Sequence, residues 1–356
     1  MKWISDDALL RLRDAAEEPD LEGTPYRLIR KVGAGGMSVV YLAQDARLNR
    51  NVALKIMNVS DESGNLASRM TREAQIVARL EHPAIVPIHD VGRLEDGRVF
   101  YTMKYVQGRR LDHYVASRPA LTEMLRVFQR VCEAVSFAHS CSVIHRDIKP
   151  ENIMVGAFGE VLVMDWGIAK ILGKPGEPRT EPLRYEAYSE PGPDQTATLI
   201  DPRANSGNET ADGAIIGTPA YMSPEQAAGD NQRVDFRTDV YALGAILHFI
   251  LTGSPPFEAA DLRTGQSQTP ALRGKVQPAL EATCLKALNH DSEKRYASAQ
   301  AMAADISAFL DGLSVSAYKE SALEKAARLL ARNRPLVILI LAYLLMRLLV
   351  LVFFRR

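Results

Sequence analysis

The sequence predicts an α+β protein with two lobes, the first rich in strands and the second rich in helices. Short β-branched or aromatic runs, separated by turns, fill residues 26–106. After Gly108 the apolar residues recur at helical spacing. Residues 336–354 are almost unbrokenly apolar, which predicts a membrane-spanning helix after the second lobe. Two lobes of this kind leave a cleft between them, where ligand sites tend to form.

One helix interrupts the strands of the first lobe. The stretch ASRMTREAQIVARL has apolar residues at helical spacing and stops at His82-Pro83. The strands are predicted in the runs YRLIRKVGAGG, SVVYLAQD, NVALKIMNV and VFYTMKYV. Residues 1–25 are an N-terminal extension, predicted to form a short amphipathic helix followed by a linker.

The second lobe is predicted to be mainly helical. Its helices are expected in LTEMLRVFQRVCEAVSFAHS, TDVYALGAILHFILTG, PALEATCLKALNH and SAQAMAADISAFLDG. Between Ile171 and Ala214, prolines alternate with Gly, Ser, Thr and Glu, and few apolar residues remain. Such a segment cannot bury enough surface to offset its ordering entropy, so we predict a long mobile loop inside this lobe.

The composition excludes several classes of protein. Because 43 Lys and Arg balance 43 Asp and Glu, the formal charge is zero and no nucleic-acid partner is expected. The three cysteines have no CxxC spacing and indicate thiols in a reducing compartment. The N-terminus carries acids where a signal peptide needs an apolar run, so most of the chain is expected in the cytoplasm.

A glycine-rich turn, VGAGGMSVV at residues 32–40, joins two predicted strands. Glycines let backbone N–H groups approach phosphate oxygens without interference from a Cβ atom. A strand follows the turn, so it is not a dinucleotide fingerprint, and it lacks the Gly-Lys-Ser/Thr ending of a P-loop. Taken alone, the turn is equally consistent with a plain hairpin.

Lys55 lies on the otherwise apolar strand VALK. A buried ammonium needs a partner, because an unpaired charge in the interior is very costly. The interrupting helix offers Glu73, one turn before the apolar Ile76 and Val77. The alternative is that Lys55 is a surface lysine on an edge strand.

Asp165 follows an apolar run in VMDWGIAK. Alone, Asp-x-Gly after a buried strand indicates a turn. The alternative, a metal ligand, depends on the earlier segment IHRDIKPEN at residues 144–152, which contains Asp147 and Asn152. A predicted hairpin, IMVGAFGEVLVM, separates the two segments and could bring Asp147 and Asp165 to one cleft.

At these residues the sequence resembles the protein kinase family, and specifically its serine/threonine branch. The resemblance extends from about Tyr26 to Leu313. It rests on motifs that occur in order: GAGGMS, VALK, a helical Glu, HRDIKPEN, DWG, GTPAYMSPE, DVYALG and SEKRY. The glycine-loop variant and the GTPAYMSPEQA segment look most like bacterial members.

The resemblance implies a bilobal protein kinase fold. It divides the chain into an extension (1–25), a kinase domain (26–313) with an N-lobe (26–106), a C-lobe (107–313) and a long activation loop (165–225), a juxtamembrane segment (314–335) and a transmembrane helix (336–354).

The resemblance also implies catalytic roles. Lys55 would hold the α- and β-phosphates of ATP, kept in place by an ion pair to Glu73. Asp147 would accept the proton of the substrate hydroxyl, and Lys149 would neutralise charge on the transferring phosphoryl group. A lysine at this place resembles serine/threonine rather than tyrosine kinases. A pseudokinase would be expected to lose Lys55, Asp147 or Asp165, and all three are present.

The implied cofactors are ATP and Mg²⁺. Asn152 and Asp165 would supply oxygen ligands to Mg²⁺, a hard cation that favours carboxylates, amide carbonyls and phosphates. Val40, Ala53, Met103 and Met154 would surround the adenine, with 104–106 as the hinge. The implied nucleotide-binding residues are Val32, Gly33, Ala34, Gly35, Gly36, Met37, Ser38, Val39, Val40, Ala53, Lys55, Met103, Lys104, Val106 and Met154.

Two residues depart from the family pattern. Ser38 stands where the third glycine of GxGxxG is usual, and a small serine should not block the approach of the backbone to phosphate. Trp166 stands where Phe is usual, and it is still a large apolar side chain that can pack under the helix carrying Glu73. Neither departure removes a charge or a ligand.

Regulation is expected in the long loop, because Arg146 beside Asp147 is the kind of residue that pairs with a loop phosphate. The alternative for each loop hydroxyl is a solvated linker residue that is never modified. Candidate acceptors are Thr196, Thr198, Ser206 and Thr210. By resemblance, Thr218 would contact the catalytic loop near the substrate hydroxyl.

Four residues have expected architectural roles. Glu225 and Arg295 are expected to form a buried ion pair in the helical lobe. Asp239 would brace the backbone around His145 and Arg146. His145 is better explained as a structural residue than as a general base.

The C-terminal run of 19 residues, 336–354, is just long enough for a bilayer core at ~1.5 Å per residue. Arg347 near its middle should cost about 2.5–3.5 kcal/mol, while fifteen Leu, Ile, Val and Phe contribute roughly −4.5 to −9 kcal/mol. The alternative is an oligomerising or interfacial helix. Arg328, Arg332 and Arg334 favour a cytoplasmic side for the kinase domain, and no external sensor domain is expected after the span.

We therefore expect a single-pass inner-membrane serine/threonine protein kinase that phosphorylates cytoplasmic proteins and itself. The expected partners are protein substrates, ATP, the membrane and a second copy of the chain for trans-autophosphorylation. The alternative is a nucleotide-binding, pseudokinase-like membrane scaffold. A small-molecule kinase of the same fold is disfavoured, because GTPAYMSPE resembles a peptide-positioning element.

Overall fold

A computed structural model describes residues 18–34, 38–57, 65–166, 170–171, 219–230, 232–257, 272, 276–332 and 334–354. The chain divides into two compact units. The first unit contains residues 1–111 and 151–171, and the second contains residues 112–150 and 172–356. The extension helix before residue 18, the predicted loop from 172 to 214 and its candidate phosphoacceptors lie outside the described residues.

The elements follow one another in chain order, with single helical turns at Pro150–Asn152, Pro219–Tyr221 and Ser292–Lys294. Those up to residue 171 are β1 (Tyr26–Ala34), β2 (Ser38–Asp45), β3 (Arg50–Met57), α1 (Asn65–Ala78), β4 (Ile88–Arg93), β5 (Val99–Lys104), β6 (Gly108–Arg110), α2 (Leu111–Ala116), α3 (Leu121–Ser140), β7 (Val143–Ile144), β8 (Ile153–Gly156), β9 (Val161–Val163) and β10 (Lys170–Ile171). Those that follow are α4 (Pro224–Ala227), α5 (Phe236–Thr252), α6 (Pro278–Ala287), α7 (Ala299–Leu310), α8 (Ala322–Arg332) and α9 (Arg334–Phe354).

The first unit is built on a five-stranded antiparallel sheet in the order β1-β2-β3-β5-β4. Side chains alternate between its faces, so Val52, Leu54 and Ile56 of β3 pack in one core cluster with Tyr41 and Phe100. The opposite face forms a second cluster, which joins the sheet to α1 and contains Met57, Met70, Ala74, Val99 and Tyr101. Lys55 belongs to this second face because it alternates with Leu54 and Ile56.

Residues 151–171 belong to the first unit, although the prediction places them in the helical lobe. The reason is strand pairing, because β8 and β9 form the predicted hairpin and β8 also pairs with β6. A Cβ atom at Gly108 would lie 2.3 Å from the carbonyl oxygen of Val155, so the β6–β8 approach requires glycine there. Val163 of β9 also donates its N–H to the carbonyl of Ala84 at 2.8 Å.

The second unit is organised around α5, which is buried along most of its length. The Asp235 side chain caps its N-terminus, and Gly253 ends it in the left-handed conformation at φ 79°. A Cβ at Gly244 would come within 2.8 Å of the Ala287 Cβ, so glycine lets α5 and α6 pack closely. The predicted helices correspond to α3, α5, α6 and α7, with ends shifted by three residues or fewer.

The predicted membrane helix falls within α9, whose described side chains are largely exposed. Within the part of the chain that the structure describes, no helix was found to be long and apolar enough to cross a membrane.

Candidate active site

Three predicted residues come together in the first unit. The ammonium of Lys55 donates to Oε1 of Glu73 at 2.9 Å and to Oδ1 of Asp165 at 3.1 Å. Lys55 and Glu73 are largely buried, whereas the side chain of Asp165 is 48% exposed. Lys55 is therefore not the surface lysine of the alternative interpretation, and Asp165 is more than a simple turn residue.

Three elements position this cluster. Strand β3 turns Lys55 toward α1 by alternation, and α1 presents Glu73 between Met70 and Ala74, both of which lie in the core. Asp165 follows β9 with φ 60°, a left-handed conformation that is uncommon for a non-glycine residue. Strained backbone of this kind persists only where the surroundings over-determine it, and it clusters at functional sites.

The neighbours of Lys55 keep it charged. Burial by itself would lower the pKa of Lys55, but the carboxylates of Glu73 and Asp165 outweigh burial and raise that pKa well above its usual value. Burial raises the pKa of Tyr101, whose hydroxyl donates to Glu73 at 2.7 Å. Tyr101 therefore stays neutral at physiological pH and acts as a hydrogen-bond donor. The cluster holds one cation between two anions, with its second anion facing outward.

Asn152 is tied to the segment that carries Asp165. Its carbonyl accepts the N–H of Met164 at 2.8 Å, and the residue as a whole is buried. An amide oxygen and a half-exposed carboxylate are the donor types that Mg²⁺ prefers together with phosphate oxygens. The residues present thus fit a magnesium–nucleotide site.

The strands on either side of the predicted glycine loop, β1 and β2, pair antiparallel, with Gly33 opposite Val40 and Ala34 opposite Val39. Val32, Gly33 and Ala34 end β1, whereas Ser38, Val39 and Val40 begin β2. Gly35, Gly36 and Met37 lie outside the described residues.

The residues predicted around the adenine lie on several strands of the first unit. Ala53 of β3 pairs with Met103 of β5, and Lys104 ends that strand. Val106 is buried just after β5, and Met154 lies on β8 in the three-stranded sheet. The ammonium of Lys104 is 3.3 Å from Oε2 of Glu160.

The second unit holds the other predicted catalytic pair. The ammonium of Lys149 donates to Oδ2 of Asp147 at 2.7 Å, and both side chains are mostly buried. The N–H of Asp147 donates to Nδ1 of His145 at 3.3 Å. His145 is completely buried, which agrees with a structural rather than a basic role. The structure thus gathers the predicted catalytic residues into one group in each unit.

Asp239 holds the backbone beside Asp147. Its carboxylate accepts the N–H groups of His145 and Arg146, each at 2.9 Å, and it contacts Nε2 of His139 at 2.8 Å. Burial by itself would raise the pKa of Asp239, but the hydrogen bonds from His139 and the backbone lower it. Asp239 therefore stays ionised although it is buried.

Gln226 and His139 are functional supports that the sequence analysis missed. Gln226 donates from Nε2 to the carbonyl of Arg146 at 2.8 Å, so both backbone polar groups of Arg146 are held. The SPEQ sequence does signal a capping box, in which Ser223 and Gln226 bond reciprocally, but it does not indicate the contact with Arg146. Nothing in the sequence indicates that His139 meets Asp239.

The expected ion pair of Glu225 and Arg295 is formed. The guanidinium of Arg295 donates to both carboxylate oxygens, at 2.7 and 2.8 Å. Trp166 is almost completely buried, in agreement with its interpretation as a packing residue. Thr218 lies outside the described residues, so its expected contact stays a prediction.

Comparison with known proteins decides the family. The family model described as "Protein kinase domain" matches residues 26–192. Over these residues the chain belongs to the protein kinase family. The crystal structure of the kinase domain of PknI from Mycobacterium tuberculosis has the same fold, with a TM-score of 0.56 and 24% identity, over 80% of this chain and 95% of that one.

Curated relatives are bacterial serine/threonine kinases. The serine/threonine-protein kinase PknD of Protochlamydia amoebophila is 34% identical, over 81% of this chain and 30% of its own length. The serine/threonine-protein kinase PknB of Mycobacterium tuberculosis is 38% identical, over 79% of this chain and 42% of its own length. The chain thus spans less than half the length of these relatives. The predicted bacterial serine/threonine branch of the family is confirmed.

Proposed function

We propose that the chain is a serine/threonine protein kinase that transfers the γ-phosphoryl group of ATP to Ser and Thr hydroxyls of proteins, including its own. The main support for this proposal is the Lys55–Glu73–Asp165 cluster. In it the buried ammonium of Lys55 donates to the buried carboxylate of Glu73 and to the half-exposed carboxylate of Asp165. Such a cluster is suited to receive phosphate and a divalent cation.

The chain's own residues then have defined roles. Glu73 holds the ammonium of Lys55, which binds phosphate oxygens. Asp165 and Asn152 would hold Mg²⁺, which when bound neutralises charge on the phosphates. Asp147 orients the acceptor hydroxyl and accepts its proton. Lys149, whose ammonium lies 2.7 Å from Oδ2 of Asp147, neutralises negative charge on the transferring phosphoryl group. Asp239 and Gln226 fix the backbone that carries Asp147.

The test is phosphotransfer by the purified full chain with ATP, Mg²⁺ and a generic basic protein. We expect transfer to Ser and Thr, and we expect Asp147→Asn to lose it by a factor of about 10³ or more. Asp147→Asn should still bind ATP, because it leaves the first-unit cluster intact. ATP binding without transfer in the unaltered chain under any condition would instead support the scaffold alternative.

We also propose that residues 336–354 attach the chain to the inner membrane, with the kinase domain on the cytoplasmic side. This proposal is supported by the exposure of large apolar side chains along α9, such as Leu339, Leu349 and Phe353. Fractionation of cells that express the full chain, compared with a chain ending at residue 335, tests it. Equal recovery of both chains in the soluble fraction would contradict membrane attachment. We further propose that a second copy of the chain is a partner in trans-autophosphorylation. Chemical crosslinking of the full chain during autophosphorylation should then trap a dimer, and a monomer alone would contradict this.

A further inference from the structure

Tyr101 has a position that the catalytic roles described above do not use. It lies in the middle of β5, is 3% exposed and pairs directly across the sheet with Lys55 of β3. Cross-strand partners present their side chains on the same face of a sheet, so the ring and the ammonium are neighbours. The Nζ atom of Lys55 lies 5.4 Å from the centroid of the Tyr101 ring, within the range of a cation–π contact.

Tyr101 also contacts α1 in two ways. Its ring packs in the core cluster with Met70 and Ala74, which flank Glu73 on α1. Its hydroxyl donates to Oε1 of Glu73 at 2.7 Å, and the ammonium of Lys55 donates to the same oxygen at 2.9 Å. One carboxylate oxygen is thus held by donors from β3 and β5.

Two donors hold the Glu73 carboxylate, the ammonium of Lys55 and the hydroxyl of Tyr101. The Lys55 ammonium has three N–H donors, and Glu73 and Asp165 accept two of its hydrogen bonds. When Lys55 binds phosphate oxygens with its third donor, its positive charge is divided among more anions, which weakens its attraction for Glu73. The Tyr101 hydroxyl is buried and is not expected to bind phosphate. Its hydrogen bond to Glu73 therefore does not depend on what Lys55 binds.

We propose that Tyr101 is a positioning residue, which fixes Glu73 and α1 independently of Lys55 so that Lys55 meets the nucleotide phosphates in a set place. This inference rests on the proposed kinase function. A phenylalanine would fill the same volume in the core but could not hold Glu73. Removing only the hydroxyl group therefore tests the hydrogen bond to Glu73 while the packing of the ring is kept.

The test compares Tyr101→Phe with a matched control, Tyr296→Phe, in the purified full chain. Tyr296 is also buried, donates to a carboxylate (Asp305, at 2.7 Å) and has a lysine ammonium (Lys286) 4.1 Å from its ring centroid. We expect Tyr101→Phe to lower kcat/KM for ATP about 10-fold and to weaken the binding of Mg–ATP measured by calorimetry. Tyr296→Phe should stay within about 2-fold on both measurements.

A double-mutant cycle with Glu73→Gln distinguishes positioning from packing. If Tyr101 acts through Glu73, the loss caused by Tyr101→Phe should shrink to less than about 2-fold in the Glu73→Gln background, measured as affinity for Mg–ATP. An equal loss in both backgrounds, an equal loss in Tyr296→Phe, or no loss in Tyr101→Phe would overturn the proposal.

Failure of the proposed function gives a different result. If the unaltered chain binds Mg–ATP but transfers no phosphate, the kinase proposal fails, and the affinities in the cycle still decide the role of Tyr101. If the unaltered chain binds no Mg–ATP, the positioning of Lys55 toward a nucleotide is overturned as well.

Discussion

Among the described residues, a buried ion pair joins two distant segments in each unit, Lys55 with Glu73 in the first and Glu225 with Arg295 in the second, and the two pairs differ in how completely they are enclosed. In the second unit, Glu225 and Arg295 have side chains that are 6% and 0% exposed. Arg295 also donates to backbone carbonyls, at 2.7 Å to Asn289 and at 3.0 Å to Arg237. Thr238 donates to the Glu225 carboxylate at 3.0 Å. These groups of the protein enclose the pair.

The pair of Lys55 and Glu73 in the first unit is open on one side. The Lys55 ammonium also contacts Asp165, whose carboxylate is half exposed. A sealed pair fixes two pieces of chain relative to each other, whereas an open pair keeps charge available for a ligand. A buried ion pair of a basic side chain and a carboxylate can therefore have a structural or a binding role. The role depends on whether a carboxylate of the cluster is exposed to solvent, as that of Asp165 is.

The largest effect on activity is expected at the open pair. Asp165→Ala should lower kcat by a factor of about 10³ or more, because it removes a carboxylate that contacts Lys55 and would bind Mg²⁺. Since Asp165 is half exposed, its removal should change the free energy of unfolding by only about 0.5 kcal/mol. Rates of phosphotransfer and urea unfolding midpoints measure the two effects.

Trp166→Phe is the control for this change. It alters the next residue but keeps a buried aromatic ring, so activity should remain largely intact. If Asp165→Ala and Trp166→Phe had equal effects on phosphotransfer, the assignment of Asp165 to the site would be wrong.

The next effect is expected at the sealed pair. Arg295→Met leaves the Glu225 carboxylate buried without its cation, which should lower the free energy of unfolding by about 3–5 kcal/mol. The pair of Arg237 and Glu293, whose side chains are 24% and 76% exposed, provides a control, because Arg237→Met should cost no more than about 1 kcal/mol. Urea titrations of the three chains give these values. Equal costs for both variants would remove the distinction between sealed and exposed pairs.

The smallest effect is a pH dependence of stability. Burial would raise the pKa of Glu225, but its hydrogen bonds and the charge of Arg295 outweigh burial and hold that pKa below its ordinary value of 4.5. A carboxyl group whose pKa is lowered by folding contributes stability above its unfolded pKa and loses it as the pH falls through the folded value. The difference in urea midpoint between the unaltered chain and Glu225→Gln should therefore be constant near neutrality and shrink below about pH 4.5. A constant difference down to about pH 3 would contradict this sign.

Much of the fold follows from local pattern. Apolar spacing of helical period located α3 to within its observed ends, and alternation along β3 put Lys55 on the face that meets α1. The edge strand β4 was missed because its sequence, IHDVGR, is mostly polar and half of an edge strand faces solvent.

Long-range contacts in the candidate site are less predictable. His139 and Asp239 are separated by 100 residues, and an imidazole at the end of an amphipathic helix gives no sign of its partner. Tyr101 likewise reads as one more apolar residue of β5, because a pattern of burial does not say which atom its hydroxyl meets. Charge complementarity was enough for Lys55 and Glu73 only because the interior requires buried charges to be paired.

The two backbone hydrogen bonds of Arg146 have a consequence for which side chains position 146 accepts. Its N–H and its carbonyl are both bound, by Asp239 and Gln226, while φ is 67°. The path of the chain into Asp147 is therefore held by main-chain hydrogen bonds, and it requires at residue 146 only a side chain that tolerates positive φ. The predicted contact of the Arg146 side chain with a loop phosphate is accordingly separable from the backbone path into Asp147, because a different side chain at 146 would leave both of these main-chain hydrogen bonds in place.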